Sequence, residues 1–193
     1  MSVQNTRETL VRCAIALFFQ KGYADTSIRD IGTRARISTS VIYHYFKNKE
    51  ELLFEIIRNA SQDIIDILHQ TETKVSDPVE RLREMLISNM TVFGAKRKKE
   101  FIIVASERHY LNGKRREIIR KMQRDIWDIY FKTLKLIDEK GLLNNMDLRV
   151  MNFCISSALI QFHNWYRQDG PLSIEEVIDN IVKFLFNAAL KQK

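Results

Sequence analysis

Hydroxyl and aromatic side chains are concentrated in one short stretch, residues 39–46, with the sequence TSVIYHYF. Hydroxyl and imidazole groups hydrogen-bond to phosphate oxygens and base edges, so their chemistry is that of nucleic-acid recognition. Such a composition suits a core helix poorly, because each buried polar group needs a partner. We therefore expect a short helix that contacts DNA, with Ser38 as its N-cap. Within it, Val41, Ile42 and Phe46 are expected to belong to the core.

The elements that position this helix are indicated by capping residues and apolar spacing. Residues 26–51 read as a helix, a three-residue turn, a short helix and the start of another helix, which is the order of a helix-turn-helix. A capping box is predicted at Ser27, at the start of the second helix. The fourth helix is expected to end near Gln70, before a break at 71–77. Apolar residues recur at helical spacing elsewhere, without strand alternation. The sequence predicts an all-α protein of about nine helices.

The charge of the chain is distributed unevenly. Its 193 residues contain 31 Lys and Arg against 24 Asp and Glu, a net charge of +7. Residues 1–50 contain eight basic and four acidic side chains, and residues 96–124 contain eleven basic and three acidic ones. This balance permits polyanionic partners, and the two zones can face different anions.

Several classes of protein find no support in the sequence. No apolar run is long enough to span a bilayer and no signal-peptide core is present, so we expect a cytoplasmic protein without a membrane partner. Cys13 and Cys154 lie among apolar residues without metal-ligand spacing, and we expect two buried, reduced thiols. There is no nucleophile motif, metal-spaced cluster or glycine-rich phosphate loop, so neither an enzyme nor a cofactor is expected.

Three pieces of the N-terminal sequence together match a known family: ALFFQKGYADTSIRDIGTRA, then IS, then VIYHYFKNKEELL. Over about residues 6–55, the chain resembles the DNA-binding domain of TetR-type transcriptional regulators. The resemblance implies a three-helix DNA-binding domain at 1–48 and a helical ligand-binding and dimerisation domain at 49–193. Two positions where the family often has glycine are Arg36 and Ser40 here, and Arg36 is expected to carry backbone strain or to reach a phosphate.

The resemblance also implies a homodimer on a palindromic, double-stranded operator, with recognition helices about 34 Å apart or somewhat more. Thr26 and Ser27 would begin the second helix, where a phosphate is favoured, while Tyr43 and Lys49 would hold the DNA backbone. Arg29 and Arg34 fit a backbone contact and a solvated face equally well. The full set of expected DNA contacts is Thr26, Ser27, Arg36, Ser38, Thr39, Ser40, Tyr43, His44, Tyr45 and Lys49.

The segments SERHYLNGKRREII and FHNWYRQDGPLSIEEV resemble the branch of that family that senses acyl-CoA thioesters. This implies a repressor with a small hydrophobic effector, a long-chain acyl-CoA, whose phosphates would meet the cations of residues 96–124. Core packing and a solvated helix face are the alternatives for the candidate residues. These candidates are Met85, Met90, Phe93, Ile103, Arg108, Arg116, Arg120, Arg124, Trp127, Phe131 and Phe162.

The last two long helices, with MNFCISSALIQFHNWY and IDNIVKFLFNAAL, are apolar around much of their circumference. A single copy cannot bury all of that surface, so dimerisation is expected. The interface candidates, for which packing inside one subunit is the alternative, are Phe162, Trp165, Ile181, Phe184 and Leu185. Two other interpretations of the whole chain remain open: a TetR-type regulator with another effector or a protein partner, and an architectural DNA binder. An enzyme is a third alternative, which no motif supports.

Overall fold

The computed structural model describes residues 3–93, 97–167 and 169–191. Within these ranges the chain forms nine α-helices and one isolated antiparallel bridge between Leu143 and Leu190, which confirms the all-α prediction. The helices are α1 Val3–Lys21, α2 Ile28–Ala35, α3 Thr39–Tyr45, α4 Lys49–Lys74, α5 Pro78–Thr91, α6 Lys98–Ser106, α7 Gly113–Glu139, α8 Leu148–Trp165 and α9 Ile174–Ala189.

Side chains cap the beginnings of five helices, two of them at the predicted residues Ser27 and Ser38. Ser27 and Asp30 form the predicted capping box of α2, and an N-cap side chain likewise accepts a backbone N–H at the start of four later helices. Those N-caps are Ser38, Asp77, Asp147 and Ser173. At the other end, Gly22 follows α1 with φ +82°, a left-handed conformation that glycine adopts without strain.

Helix α4 extends further than expected. It ends at Lys74 rather than near Gln70, because the segment beyond Gln70 contains neither Pro nor Gly to interrupt it. Thr71 is buried, and its hydroxyl donates to the carbonyl of Ile67 at 2.9 Å, one helical turn back. The predicted break is therefore limited to the few residues before Pro78.

The chain divides into two compact units, which do not follow the expected boundary after residue 48. The first unit comprises residues 1–61 and 99–120, and the second comprises 62–98 and 121–193. The core of the first unit includes Leu10, Phe18, Ile31, Ile42, Phe46, Leu53 and Ile57. The core of the second includes Met85, Met90, Phe93, Tyr130, Leu134 and Phe162.

The two cysteines differ in their surroundings. Cys13 is buried in the first unit as expected, whereas Cys154 on α8 is exposed, so the expectation of two buried thiols is wrong for Cys154. Apolar residues occupy more than one side of α8. The apolar neighbours of Cys154 in the sequence therefore did not show that its side of the helix faces outward. In the described part of the chain, no helix has the length and apolarity that crossing a membrane requires.

Candidate nucleic-acid interface

The turn between α2 and α3 brings two stretches of backbone unusually close together. Arg36 ends α2 in the left-handed conformation, with φ 57° and ψ 42°, as its place at a usual glycine position predicted. The N–H of Ile37 donates to the carbonyl of Gly32 at 2.9 Å. A Cβ atom on Gly32 would lie 2.7 Å from the carbonyl oxygen of Ile37, so no larger residue fits there without movement. This contact fixes how α3 leaves α2.

Helix α3 presents one buried side and one exposed side. Ile42 and Phe46 are buried as predicted, whereas Val41 is 41% exposed, so the expectation that Val41 belongs to the core is wrong. A seven-residue helix has room for only a narrow buried stripe, and Ile42 occupies it. The rings of His44 and Tyr45 meet edge to face at 5.3 Å, and Tyr45 is half-buried. The exposed side consists of Thr39, Ser40, Val41, Tyr43 and His44.

A surface groove of about 790 Å³ runs beside α3. Two exposed cations, Arg29 and Lys47, flank it together with the hydroxyls of Ser27, Thr39 and Tyr43. The N–H groups at the first positions of α2 have no intrahelical partners and favour an anion there. The groove therefore has the groups that hold a phosphate. Its complete lining is Ala24, Asp25, Thr26, Ser27, Ile28, Arg29, Thr39, Tyr43, Lys47, Asn48 and Lys49.

The side chains of Thr26 and Lys49 hydrogen-bond inside the protein. Thr26 is 1% exposed and its hydroxyl donates to the carbonyl of Gly22 at 2.7 Å. The Lys49 ammonium donates to three carbonyls of the α1–α2 loop: Tyr23 and Thr26 at 2.7 Å, and Ala24 at 3.2 Å. The pKa of Lys49 is lowered, and the largest cause is burial, which disfavours the charged ammonium. Because all three donors are used inside the protein, we infer that Lys49 holds this loop and that neither side chain contacts DNA.

The remaining candidates for DNA contact are all accessible. Ser27, Arg36, Ser38, Thr39, Ser40, Tyr43 and His44 are exposed, and Tyr45 is half-buried. The Ser27 hydroxyl accepts from the N–H of Asp30, and the Ser38 hydroxyl from that of Val41, so these two groups also serve as caps. Arg34 is exposed and lies 3.4 Å from Gln20, outside the groove, whereas Arg29 lines it.

The segment between α6 and α7 packs on the part of the first unit formed by α1, α2, α3 and the start of α4, which we call the reading head. The ring of Tyr110 lies 4.8 Å from that of Tyr23, and the N–H of Asn112 donates to Glu50 at 3.1 Å. Arg115 pairs with Glu50 at 3.5 Å. We call these contacts the head joint. Sequence reasoning missed it, because its members are far apart in the chain and form no motif.

The residues expected to bind an effector are divided between the two units. Ile103, Arg108, Arg116 and Arg120 belong to the first unit, and the remainder to the second. The four candidate arginines are exposed, whereas five apolar candidates have no exposed surface: Met85, Met90, Phe93, Ile103 and Phe162. In the second unit, Trp127 and Phe131 stack at 4.8 Å, and both are partly exposed.

An apolar groove of about 710 Å³ lies on the surface of α8 and α9. Four of the five predicted interface residues line it: Trp165, Ile181, Phe184 and Leu185. Phe162 does not, because it is fully buried and stacks on the ring of Tyr166 at 5.3 Å, so the prediction of an interface role for Phe162 is wrong. Phe153, which is 62% exposed, lines the groove and was missed, since spacing alone cannot tell an outer apolar face from an inner one.

Two models of known protein families match the sequence of this chain. Residues 10–56 match "Bacterial regulatory proteins, tetR family", and residues 75–189 match "Tetracyclin repressor-like, C-terminal domain". The chain belongs to the TetR family. This is a family of transcriptional regulators and not of enzymes, and the helix-turn-helix of the first unit is its DNA-binding element.

Relatives of this TetR-family chain match it along most of its length. The transcriptional repressor KstR2 of Mycobacterium tuberculosis is 24% identical, over 98% of this chain and 96% of that protein. The transcriptional regulator HbdR of Aromatoleum sp. (strain CIB) is 29% identical, over 81% of this chain and 70% of that protein. The crystal structure of AibR in complex with isovaleryl coenzyme A and operator DNA has a TM-score of 0.87 at 26% identity, over 94% of this chain and 98% of that chain.

Proposed function

We propose that this chain is a ligand-responsive transcriptional repressor that binds a palindromic operator as a homodimer and is released by an acyl-CoA. The DNA-binding part rests on the exposed side of α3, which lies beside a groove with two exposed cations. Ser40 and His44, one turn apart, would approach base edges, while Ser27, Tyr43 and Lys47 would hold the phosphates.

The homodimer is supported by the apolar groove of α8 and α9. Phe184 is 72% exposed and Trp165 56% exposed, and both line the groove with Phe153. A second copy offers the same apolar surface across a two-fold axis, so the interface is self-complementary. Two reading heads on one dimer then match two half-sites, about one helical turn apart or somewhat more.

An acyl-CoA effector is supported by the likeness to AibR, whose structure contains isovaleryl coenzyme A. Arg108 lies in the first of the two segments that resemble the acyl-CoA-responsive branch, and Arg120 and Arg124 follow that segment on α7. All three are exposed, and their charge suits CoA phosphates. An effector that binds the DNA-incompetent state more tightly by about 1–3 kcal/mol would weaken operator binding about 5- to 150-fold.

The test is a gel shift with the full chain and the DNA upstream of its own gene. Isovaleryl-CoA and palmitoyl-CoA are added separately, with free CoA and the two free acids as matched controls. We expect a complex that either thioester releases and the controls do not. A complex that persists with every thioester contradicts the effector alone, and the chain's failure to select any DNA from a random library contradicts the whole proposal.

A second candidate is a regulator with a different effector or a protein partner. It is favoured by the packing of Met90, Phe93 and Phe162, which have no exposed surface and so can belong to a filled core. Calorimetric titration of the full chain with the same two thioesters separates the candidates. Heat of binding supports the first candidate, whereas the absence of binding together with intact DNA binding supports the second.

A further inference from the structure

The exposed side of α3 contains an apolar side chain that hydrogen bonding to DNA does not explain. Val41 is 41% exposed, although valine is among the residue types most often buried. The next residue, Ile42, is fully buried, so the side of the helix that faces the core is well defined. The orientation of α3 that buries Ile42 therefore leaves Val41 at the surface.

Helical spacing places Val41 away from the phosphate-holding groove. Successive residues of an α-helix are rotated by about 100°, so Val41 and Tyr43 lie about 160° apart around the helix. Tyr43 lines the groove together with Lys47, and Val41 does not. Three residues after Val41, His44 is its neighbour on the exposed side. Val41 thus occupies the edge of α3 opposite to the phosphate-holding edge, beside the residues placed to meet bases.

We propose that Val41 contacts the C5 methyl group of a thymine in each half-site of the operator. This inference rests on the proposed function, since it requires α3 to enter the major groove. There a thymine presents its methyl group, which an apolar side chain recognises and a hydroxyl or imidazole does not. Burial of Val41 against that methyl removes apolar surface of both partners from water.

The experiment removes the methyl group and nothing else. A binding site is first selected from random DNA with the full chain, and each thymidine of one half-site is then replaced in turn by deoxyuridine. At one position, or at two adjacent ones, we expect the wild-type protein to bind about four-fold more weakly, which corresponds to one buried methyl group. The Val41→Ala protein should lose most of this preference for thymidine, because alanine offers less apolar surface to the methyl group.

Ser40→Ala is the matched control on the same exposed side. It should weaken binding overall and keep the preference for thymidine. Thermal unfolding of both variants shows that they are folded, which is expected because both positions are exposed. A selected site at which no methyl group matters, or at which Val41→Ala keeps the full preference, overturns the inference and leaves the proposed function intact. Failure to select any DNA contradicts the proposed function itself.

Discussion

The ammonium nitrogen of Lys49 lies 2.7 Å from the carbonyl oxygen of Tyr23 and 4.1 Å from the centre of its ring. The same nitrogen donates to the carbonyls of Ala24 and Thr26. One side chain at the start of α4 thus gathers the loop that leads into α2. Support of this loop is enough to explain why the family motif has a lysine at this position.

Replacing Lys49 by Met should destabilise the protein while leaving the salt dependence of DNA binding unchanged. The methionine keeps an apolar stem but donates to none of the three carbonyls, and we expect a loss of roughly 1–2 kcal/mol in the free energy of unfolding. Urea denaturation measures it. Lys47→Met is the control: it should leave stability unchanged and reduce the slope of log affinity against log salt by about one per half-site. The reverse pattern would return Lys49 to the phosphate contacts.

Replacing Arg36 by Gly should stabilise the protein by about 0.5–1 kcal/mol, because φ 57° costs a residue with a Cβ atom more than it costs glycine. Arg36→Ala separates the backbone from the guanidinium, since alanine keeps the strain and loses the charge. Chemical denaturation should rank the glycine variant above the wild type and the alanine variant. Equal stability of the two variants would show that the backbone is not strained.

Removing the Glu50 carboxylate should weaken communication between effector and DNA. Glu50 accepts from the N–H of Asn112 and pairs with Arg115, so Glu50→Ala removes two of the three contacts of the head joint. Provided the proposed acyl-CoA response exists, we expect its size to fall about 2- to 30-fold, as judged by gel shift with and without the thioester. Glu117→Ala, at an exposed position of α7, should respond like the wild type. An unchanged response in Glu50→Ala would exclude the head joint from signalling.

Replacing Phe184 by Glu should separate the two copies of the proposed homodimer. Each copy loses an exposed aromatic contact and gains a charge in an apolar groove, so the dissociation constant should rise at least about 100-fold. Sedimentation equilibrium measures it. Leu142→Glu places the same charge on an exposed apolar residue that does not line the groove, and should remain dimeric. A dimeric Phe184→Glu protein would place the interface elsewhere.

We expect the protein to lose stability in acid, because the carboxylates that cap its helices become protonated. A hydrogen bond from the N–H of Glu80, together with Lys140, lowers the pKa of Asp77. Since the folded pKa lies below the unfolded one, this contribution is present above about pH 4 and is lost as pH falls further. Asp77→Asn keeps the cap without titrating in that range, so its melting temperature should fall less than that of the wild type below pH 4. Identical pH profiles of the two proteins would exclude this contribution.

Features that depend on residues close in sequence could be predicted. The Ser27–Asp30 capping box and the left-handed Arg36 are local, and both were confirmed. Features that depend on distant chain segments could not. The role of Lys49 depends on where the α1–α2 loop carbonyls lie. The burial of Phe162 and the exposure of Val41 depend on which of two apolar neighbours faces the core, and a period of 3.6 residues does not decide this over one or two turns.

The close approach at Gly32 means that the position of α3 and the side chains on its exposed side depend on different residues. Because the angle between α2 and α3 depends on a backbone contact, substitutions on the outer side of α3 leave that angle unchanged. The outer side can diverge after gene duplication, or be redesigned in the laboratory, without refitting the scaffold beneath it. New operator sequences are therefore accessible by single steps at the protein surface, and the inner framework need not evolve with them.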